Sequence, residues 1–487
     1  MAYPDMDLKK GYRQEDGDLL LLCWLDDKNP VFPEALLPDE VKGAAPPEEE
    51  GKGSTIFAGA SERGRLMVRA ARLDAKNITP IEAMKRAVAS TLAAAQEEKL
   101  KRLVVPVASG LEDSEALIAA VQEGALLGGY SFDKYLSEKK EPVPVVIALD
   151  SSPSKALKSQ KERLDVLFRW INFARDILNE PPNEIHPQSL SKIFREKGKK
   201  AGLKVTVWDE KRLMKERCGG ILAVGKGAAS RPCLVIGEYK PRKAKRHLCL
   251  VGKGITFDTG GYCLKPEKSQ IGMKYDMGGA AMMFAAACAM AELKVPVQVT
   301  VLTPLAENDI SSTAYHTTDI ITTRSGKTVE VDNTDAEGRI ILSDALTIAC
   351  EKKPDWIIDS ATLTGACVVA LGEDIAGAFG TSDELTERII EAGASTGELI
   401  WKMPLHMPYF EQMKSTIADM KNIGSRWGGA ITAALFLKQF VDDEIPWVHL
   451  DIAGPSVKEE PLGHLGKGAK GFGIKTMLAL VEKGLKG

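Results

Sequence analysis

Short apolar runs alternate with amphipathic stretches along the whole 487-residue chain, and that alternation predicts an α/β protein. In the first third, Leu19–Trp24, Leu103–Ala108 and Val143–Leu149 read as strands, while Pro80–Ala95 and Asp113–Leu127 carry apolar residues at helical spacing. Between them, Pro30 to Thr55 holds five prolines and Glu48-Glu49-Glu50, and reads as an exposed, mobile loop. Ser151-Ser152-Pro153 has the form of a helix start. Leu164, Leu167, Phe168, Ile171, Ala174 and Leu178 continue with a helical period until Asn179-Glu180-Pro181-Pro182-Asn183 breaks it. Beyond lie the buried-strand candidates Leu203–Trp208, Cys233–Gly237, Leu248–Val251, Val297–Thr303, Trp356–Asp359 and Trp447–Ile452. The longest uncharged run, Met277–Ala291, is shorter than the roughly 20 residues of a membrane span and suits a tightly packed interior helix.

A chain of this length exceeds one ordinary core. The expected division is an N-terminal α/β domain over 1–150, a linker helix over 151–178 and a larger C-terminal α/β domain over 179–487.

Composition acts mainly by exclusion. The formal net charge of −3 provides no broad basic field, so neither nucleic acid nor an anionic membrane is expected as a main partner. Eight cysteines without a C-x-x-C pair read as reduced core residues of a cytoplasmic protein. The apolar stretch Leu19–Leu22 has acidic flanks and is too short for a signal peptide. The six histidines fall in separate segments, His449 in a core strand, and neither H-E-x-x-H nor G-x-S-x-G occurs. Gly252-Lys253-Gly254 lacks the third glycine of a dinucleotide fingerprint.

The chemistry concentrates in acids. In Asn333-Thr334-Asp335-Ala336-Glu337-Gly338-Arg339, Asp335 and Glu337 stand two apart, and in an extended segment they would point to one side. Asp258 follows the apolar run Leu248–Val251, Asp276 precedes a long apolar helix, and Lys253 and Lys265 lie close by in sequence. Acids at the ends of core elements need partners, because an isolated buried charge is costly. Two dications satisfy four carboxylates. So does a salt-bridge network with Lys253, Lys265 and Arg339, and a two-metal phosphatase would use the same residue types.

Val251–Gly261, Lys265-Pro266, Asp276–Ala280 and Asn333–Arg339 resemble the motifs of the leucyl aminopeptidase family, the cytosol aminopeptidases. Asn179–Asn183, Ser360–Ala370, Ala418–Gly424 and Trp447–Gly454 extend the resemblance over the catalytic half, and Glu123–Lys134 is its mark in the first half. Departures are Thr259, Tyr262-Cys263, Asn308–Asp319 and Pro455-Ser456.

The resemblance implies an α/β fold whose larger domain, a central mixed sheet flanked by helices, carries catalysis. It implies that Lys253, Asp258, Asp276, Asp335 and Glu337 hold two divalent metal ions per subunit, Asp258 and Glu337 bridging. Lys265 and Arg339 would be the catalytic residues, with bicarbonate held by Arg339 as general base. Lys265, Met273, Asn333, Thr362, Leu363, Gly365 and Ala453 would bind substrate, in an apolar pocket suited to leucine. It further implies short peptide substrates and a homohexamer. Oxygen ligands suit Mn²⁺ or Zn²⁺, with Mg²⁺ or Co²⁺ possible, and the residues do not choose among them.

Overall fold

The computed structural model describes residues 4–26, 28–47, 54–61, 63–74, 76–461 and 463–483. The chain forms two compact units, one of residues 1–172 with 459–468 and the other of 173–458 with 469–487. The division falls inside the Lys155–Asn179 helix.

The first unit holds a six-stranded sheet of β1 (Met6–Lys10), β2 (Asp18–Trp24), β3 (Ser54–Ser61), β4 (Gly64–Arg72), β5 (Arg102–Val107) and β6 (Val145–Leu149). Their order is β1-β6-β5-β2-β4-β3, parallel except for the β3–β4 hairpin. β2, β5 and β6 and the helices Pro80–Glu97 and Ser114–Leu126 fall where the apolar patterning places them. β1 and β4 escape that patterning because lysines and arginines interrupt them, yet backbone pairing with β6 and β2 holds them in the sheet.

Two local expectations need correction. The proline-rich stretch is not simply an exposed loop. Val31, Phe32, Leu37 and Val41 are buried, and the Phe32 ring meets Trp24 edge-on at 4.9 Å. Apolar side chains dock the stretch on the sheet; its acidic run, 48–50, lies outside the described residues. The linker helix is capped not by Ser151 or Ser152 but by Ser154, whose Oγ accepts from Leu157 N at 3.0 Å.

The second unit is built on a nine-stranded mixed sheet. Its strands are β7 (Lys204–Trp208), β8 (Cys233–Tyr239), β9 (His247–Gly252), β10 (Gly254–Asp258), β11 (Gln298–Asn308), β14 (Trp356–Ala361), β15 (Ala376–Gly380), β16 (Ile400–Lys402) and β18 (Trp447–Asp451). The order is β16-β15-β18-β14-β9-β11-β8-β7, with β10 paired to β11. β12 (Ile320–Thr322), β13 (Thr328–Glu330) and β17 (Met420–Lys421) form a separate three-stranded sheet. The chain is thus an α/β protein, its larger domain a central mixed sheet flanked by helices.

β9, β10, β11, β14 and β18 run parallel in neighbouring pairs, so their carboxyl ends gather on one edge, where open α/β sheets place ligand sites. The Gly278–Glu292 helix is buried from Gly278 to Ala291 and packs on β9, β11 and β14. A Cβ on Gly279 would stand 2.0 Å from Ser360 O, so only glycine lets this helix start seat against β14.

Candidate metal centre

The expected site residues sit at strand ends, at a helix start and on the turns between them. Lys253 follows β9, its N–H donating to Ser360 O at 3.0 Å and its carbonyl accepting from Ala280 N at 2.8 Å. Asp258 ends β10. Asp276 sits on the 3₁₀ turn Met273–Met277 that leads into the Gly278 helix.

Asp335 and Glu337 do converge, but not by strand alternation. Asn333 turns the chain, accepting from Asp335 N through Oδ1 at 2.8 Å and from Ala336 N through its carbonyl at 3.3 Å. Glu337 then opens the Glu337–Glu351 helix, where the helix dipole favours a negative charge. One oxygen from each of Asp258, Asp335 and Glu337 lies within 4.8 Å of the others.

The two lysines divide the acids between them. Lys253 Nζ meets Asp276 Oδ2 at 2.8 Å and Glu337 Oε1 at 2.9 Å, and donates to Thr362 O at 2.9 Å. Lys265 Nζ lies 2.8 Å from Asp258 Oδ2 and pairs with Asp335. Arg339 does not join this network. It is buried, and its Nη1 donates to Asn422 O at 2.9 Å while Nε has no hydrogen-bond partner among the described residues.

Electrostatics mark the cluster as short of positive charge. Burial pushes Glu337 up to about 8 and Asp276 up to about 6, the Asp258 charge adding to both shifts and Lys253 opposing them. Asp335 is raised in the same sense by burial and by Asp258. Burial lowers Lys253 and Lys265, but the surrounding carboxylates outweigh it and hold both ammonium groups above the usual lysine range. Burial brings Arg339 down to about 10, against the opposing pull of the Glu337 and Asp451 charges. Fully ionised, four carboxylates would face two lysines and carry two unmatched negative charges, a shortage that pushes Glu337 and Asp276 toward the protonated form in the absence of further cations. Glu337 Oε2 is buried without a hydrogen bond from any of the described residues. An oxygen-rich, under-neutralised cluster with an orphaned carboxylate oxygen fits hard or borderline divalent cations.

Of the expected substrate residues, Asn333 and Thr362 bond directly to members of the cluster. Thr362 Oγ1 donates to Asp276 Oδ1 at 2.7 Å. Leu363 N and Ala453 N each donate to Asp451 Oδ1 at 3.2 Å, and Thr364 Oγ1 donates to Asp451 Oδ2 at 2.7 Å. Asp451 therefore ties together two stretches of the expected pocket. Gly365 is exposed at the start of the next helix, and Met273 is half-buried on the turn that carries Asp276.

Sequence reasoning assigned no role to Asn308, Thr334, Asn422 or Asp451. Asn422 Nδ2 donates to Asn333 O at 2.6 Å and its Oδ1 accepts from Asp332 N at 2.8 Å, bracing the acidic turn. The one available signal was a polar residue closing an apolar strand, which fits Asn308 and Asp451. His449, placed in a core strand from sequence, is buried in β18 and bonded to Asp359 at 2.6 Å.

The model of the cytosol aminopeptidase family catalytic domain matches residues 172–478, and that of the family's N-terminal domain matches 73–139. A Streptomyces avermitilis protein named "Probable cytosol aminopeptidase" is 44% identical over 409 residues, 82% of this chain and 79% of that protein. One of the same name from Chlorobaculum tepidum is 45% identical over 381 residues, 76% and 75% of the two chains. Among solved structures, the bottromycin maturation enzyme BotP in complex with Mn superposes with a TM-score of 0.84 at 30% identity, covering 96% of this chain and 99% of that one.

Proposed function

The chain belongs to the cytosol aminopeptidase family and is a metal-dependent aminopeptidase, a peptide hydrolase; from that premise we propose that it works through two divalent metal ions and prefers leucine and other apolar N-terminal residues. The observation that carries this reading is the set of four converging carboxylates matched by only two lysines. Lys253, Asp258, Asp276, Asp335 and Glu337 are the residues that would hold the ions, Mn²⁺ or Zn²⁺ before Mg²⁺ or Co²⁺. Bound there, such ions supply Lewis acidity toward a peptide carbonyl and acidify a water molecule.

The chain's own groups do the rest. Lys253 can ligate only as the neutral amine, so it must give up a proton, and with it its hold on Asp276 and Glu337, when a cation arrives. Lys265 is partly exposed and holds its ammonium group between Asp258 and Asp335, where a substrate carbonyl oxygen could meet it. As a fixed cation it stabilises the charge developing there, a role worth roughly 3–4 kcal/mol for a single donor. Arg339, with its unpartnered Nε, suits an anion such as bicarbonate, which would accept the water's proton. Asn333, Thr362, Leu363, Gly365, Ala453 and Met273 would line the substrate cleft. An apolar pocket discriminates a methylene by only about 1–3 kcal/mol, so specificity should be broad.

Among the described residues no helix is long and apolar enough to cross a membrane. We place the enzyme in the cytoplasm, as a homohexamer acting on short peptides, with the catalytic machinery in residues 179–487.

Hydrolysis of leucine amide against N-acetyl-leucine amide, after chelation and then after adding back Mn²⁺ or Zn²⁺, tests this reading. Metal-restored cleavage of the free-amine substrate alone is expected. Equal cleavage of both substrates would remove the amine recognition, and cleavage that survives chelation would remove the metals.

A further inference from the structure

Asn308, the last residue of β11, is fully buried beside the acidic cluster. Its side-chain amide spends both protons on the site, donating to Asp258 Oδ1 at 2.8 Å and to Thr334 O at 3.0 Å. Its main-chain carbonyl accepts from Thr259 N at 3.0 Å and from Thr259 Oγ1 at 2.8 Å. One residue therefore joins the end of β10, which carries Asp258, to the turn that carries Asp335. The backbone supports the link, because Asp258 and Asn308 are register partners just past an irregularity in the β10–β11 pairing.

Thr334 is held from the other side as well. Its carbonyl accepts from Tyr315 Oη at 2.8 Å, and its hydroxyl donates to Gly260 O at 2.7 Å.

The donor type matters. Among the described residues Asp258 Oδ1 accepts neutral N–H groups, from Asn308 and from Gly260 N at 2.9 Å, and Oδ2 is the oxygen that meets Lys265. Neutral donors orient a carboxylate and leave its charge intact. A lysine or arginine at position 308 would compete with a dication for that charge. Both partners of the amide are buried acceptors on chain-distant segments, so an apolar residue in its place would take a donor from each and release the link between them.

We propose that Asn308 is a positioning residue: its carboxamide sets the spacing of Asp258 and Asp335, and thereby the affinity of the cluster for divalent metal. The inference rests on the metal reading above and assigns Asn308 no contact with substrate.

The test is a calorimetric titration of Mn²⁺ into chelator-stripped full-length protein, wild type and N308A, with circular dichroism and melting of the metal-free forms in parallel. Supporting metal-ligand groups typically set affinity by roughly 10–100-fold, and a loss of that size is expected in N308A. The Mn²⁺ concentration for half-maximal leucine amide hydrolysis should rise in step, while KM at saturating Mn²⁺ stays near wild type. N308A that binds Mn²⁺ as tightly as wild type overturns the proposal, whatever its melting temperature. Wild type that takes up no Mn²⁺ overturns the metal reading itself, and this one with it. Should N308A not fold, N308S is titrated in its place; weaker binding supports the assignment and unchanged binding overturns it.

Discussion

Replacing Gly338 with alanine sets two effects of opposite sign against each other. Gly338 is the second residue of the Glu337–Glu351 helix, where alanine gains at most about 1 kcal/mol of helix propensity. The added Cβ, however, would stand 2.5 Å from Lys253 Cε, 2.7 Å from Cδ and 2.7 Å from Nζ. Carbon contacts settle near 3.5–4.0 Å, so the end of the lysine must retreat by about 1 Å. It has little room, being held by Asp276 at 2.8 Å, Glu337 at 2.9 Å and Thr362 O at 2.9 Å. A shift of that size lengthens these contacts past hydrogen-bond range, and hydrogen bonds to charged groups are worth about 1.5–3 kcal/mol each. Losing two of the three outweighs the helix gain, and we expect metal-free G338A to be less stable by about 2–5 kcal/mol. Denaturant unfolding of chelator-treated protein, followed by tryptophan fluorescence, measures the difference. Mn²⁺ titration of the same samples should show weaker binding, since the displaced lysine is an expected ligand. G338A as stable as wild type, with unaltered Mn²⁺ affinity, would refute the claim that Lys253 is held in one position.

Three further outcomes follow from the same geometry. R339A should lose about 10²–10⁴-fold in kcat for leucine amide, with KM and metal stoichiometry little changed, and wild-type kcat would remove Arg339 from the chemistry. G279A should be destabilised by about 3 kcal/mol or more, because its Cβ would meet Ser360 O at 2.0 Å, whereas G365A, with nothing within 4 Å, should unfold within about 0.5 kcal/mol of wild type; equal denaturant midpoints for the two would contradict the packing described. Burial lowers the His449 pKa, but Asp359 more than reverses this and holds it above the ordinary 6.5. With the folded value above the unfolded one, the pair's stabilisation is fully present below pH 6.5 and fades as pH rises through the folded value. The stability gap between wild type and H449Q should therefore narrow as pH rises above 6.5, and a constant gap would mean that the ring is neutral throughout.

Strands with unbroken apolar runs, such as β2 and β9, were legible because burial on both faces leaves few polar positions to obscure them. The same logic failed for β1 and β4, whose charged residues hide strands that exist through pairing with neighbours. It also misread the proline-rich stretch, where prolines signal a loop but say nothing of the apolar side chains between them docking on the sheet. Within the acidic set, the residue types and their proximity could be read from the string. The manner of convergence could not, because Asp335 and Glu337 meet through an asparagine-stabilised turn and a helix start.

The sequence by itself determined the α/β class, the elements with strong periodicity, the family and the identity of the acids and lysines. These are local properties, written in spacing, composition and short specific strings. Tertiary structure alone decided which lysine faces which acid, that Arg339 turns to Asn422 rather than to the carboxylates, and that Asn308 and Asp451 brace segments distant along the chain. Those pairings depend on which strands lie side by side and on how far their carboxyl ends project. Sheet order and register set both, and no local pattern of hydrophobic and polar residues encodes them.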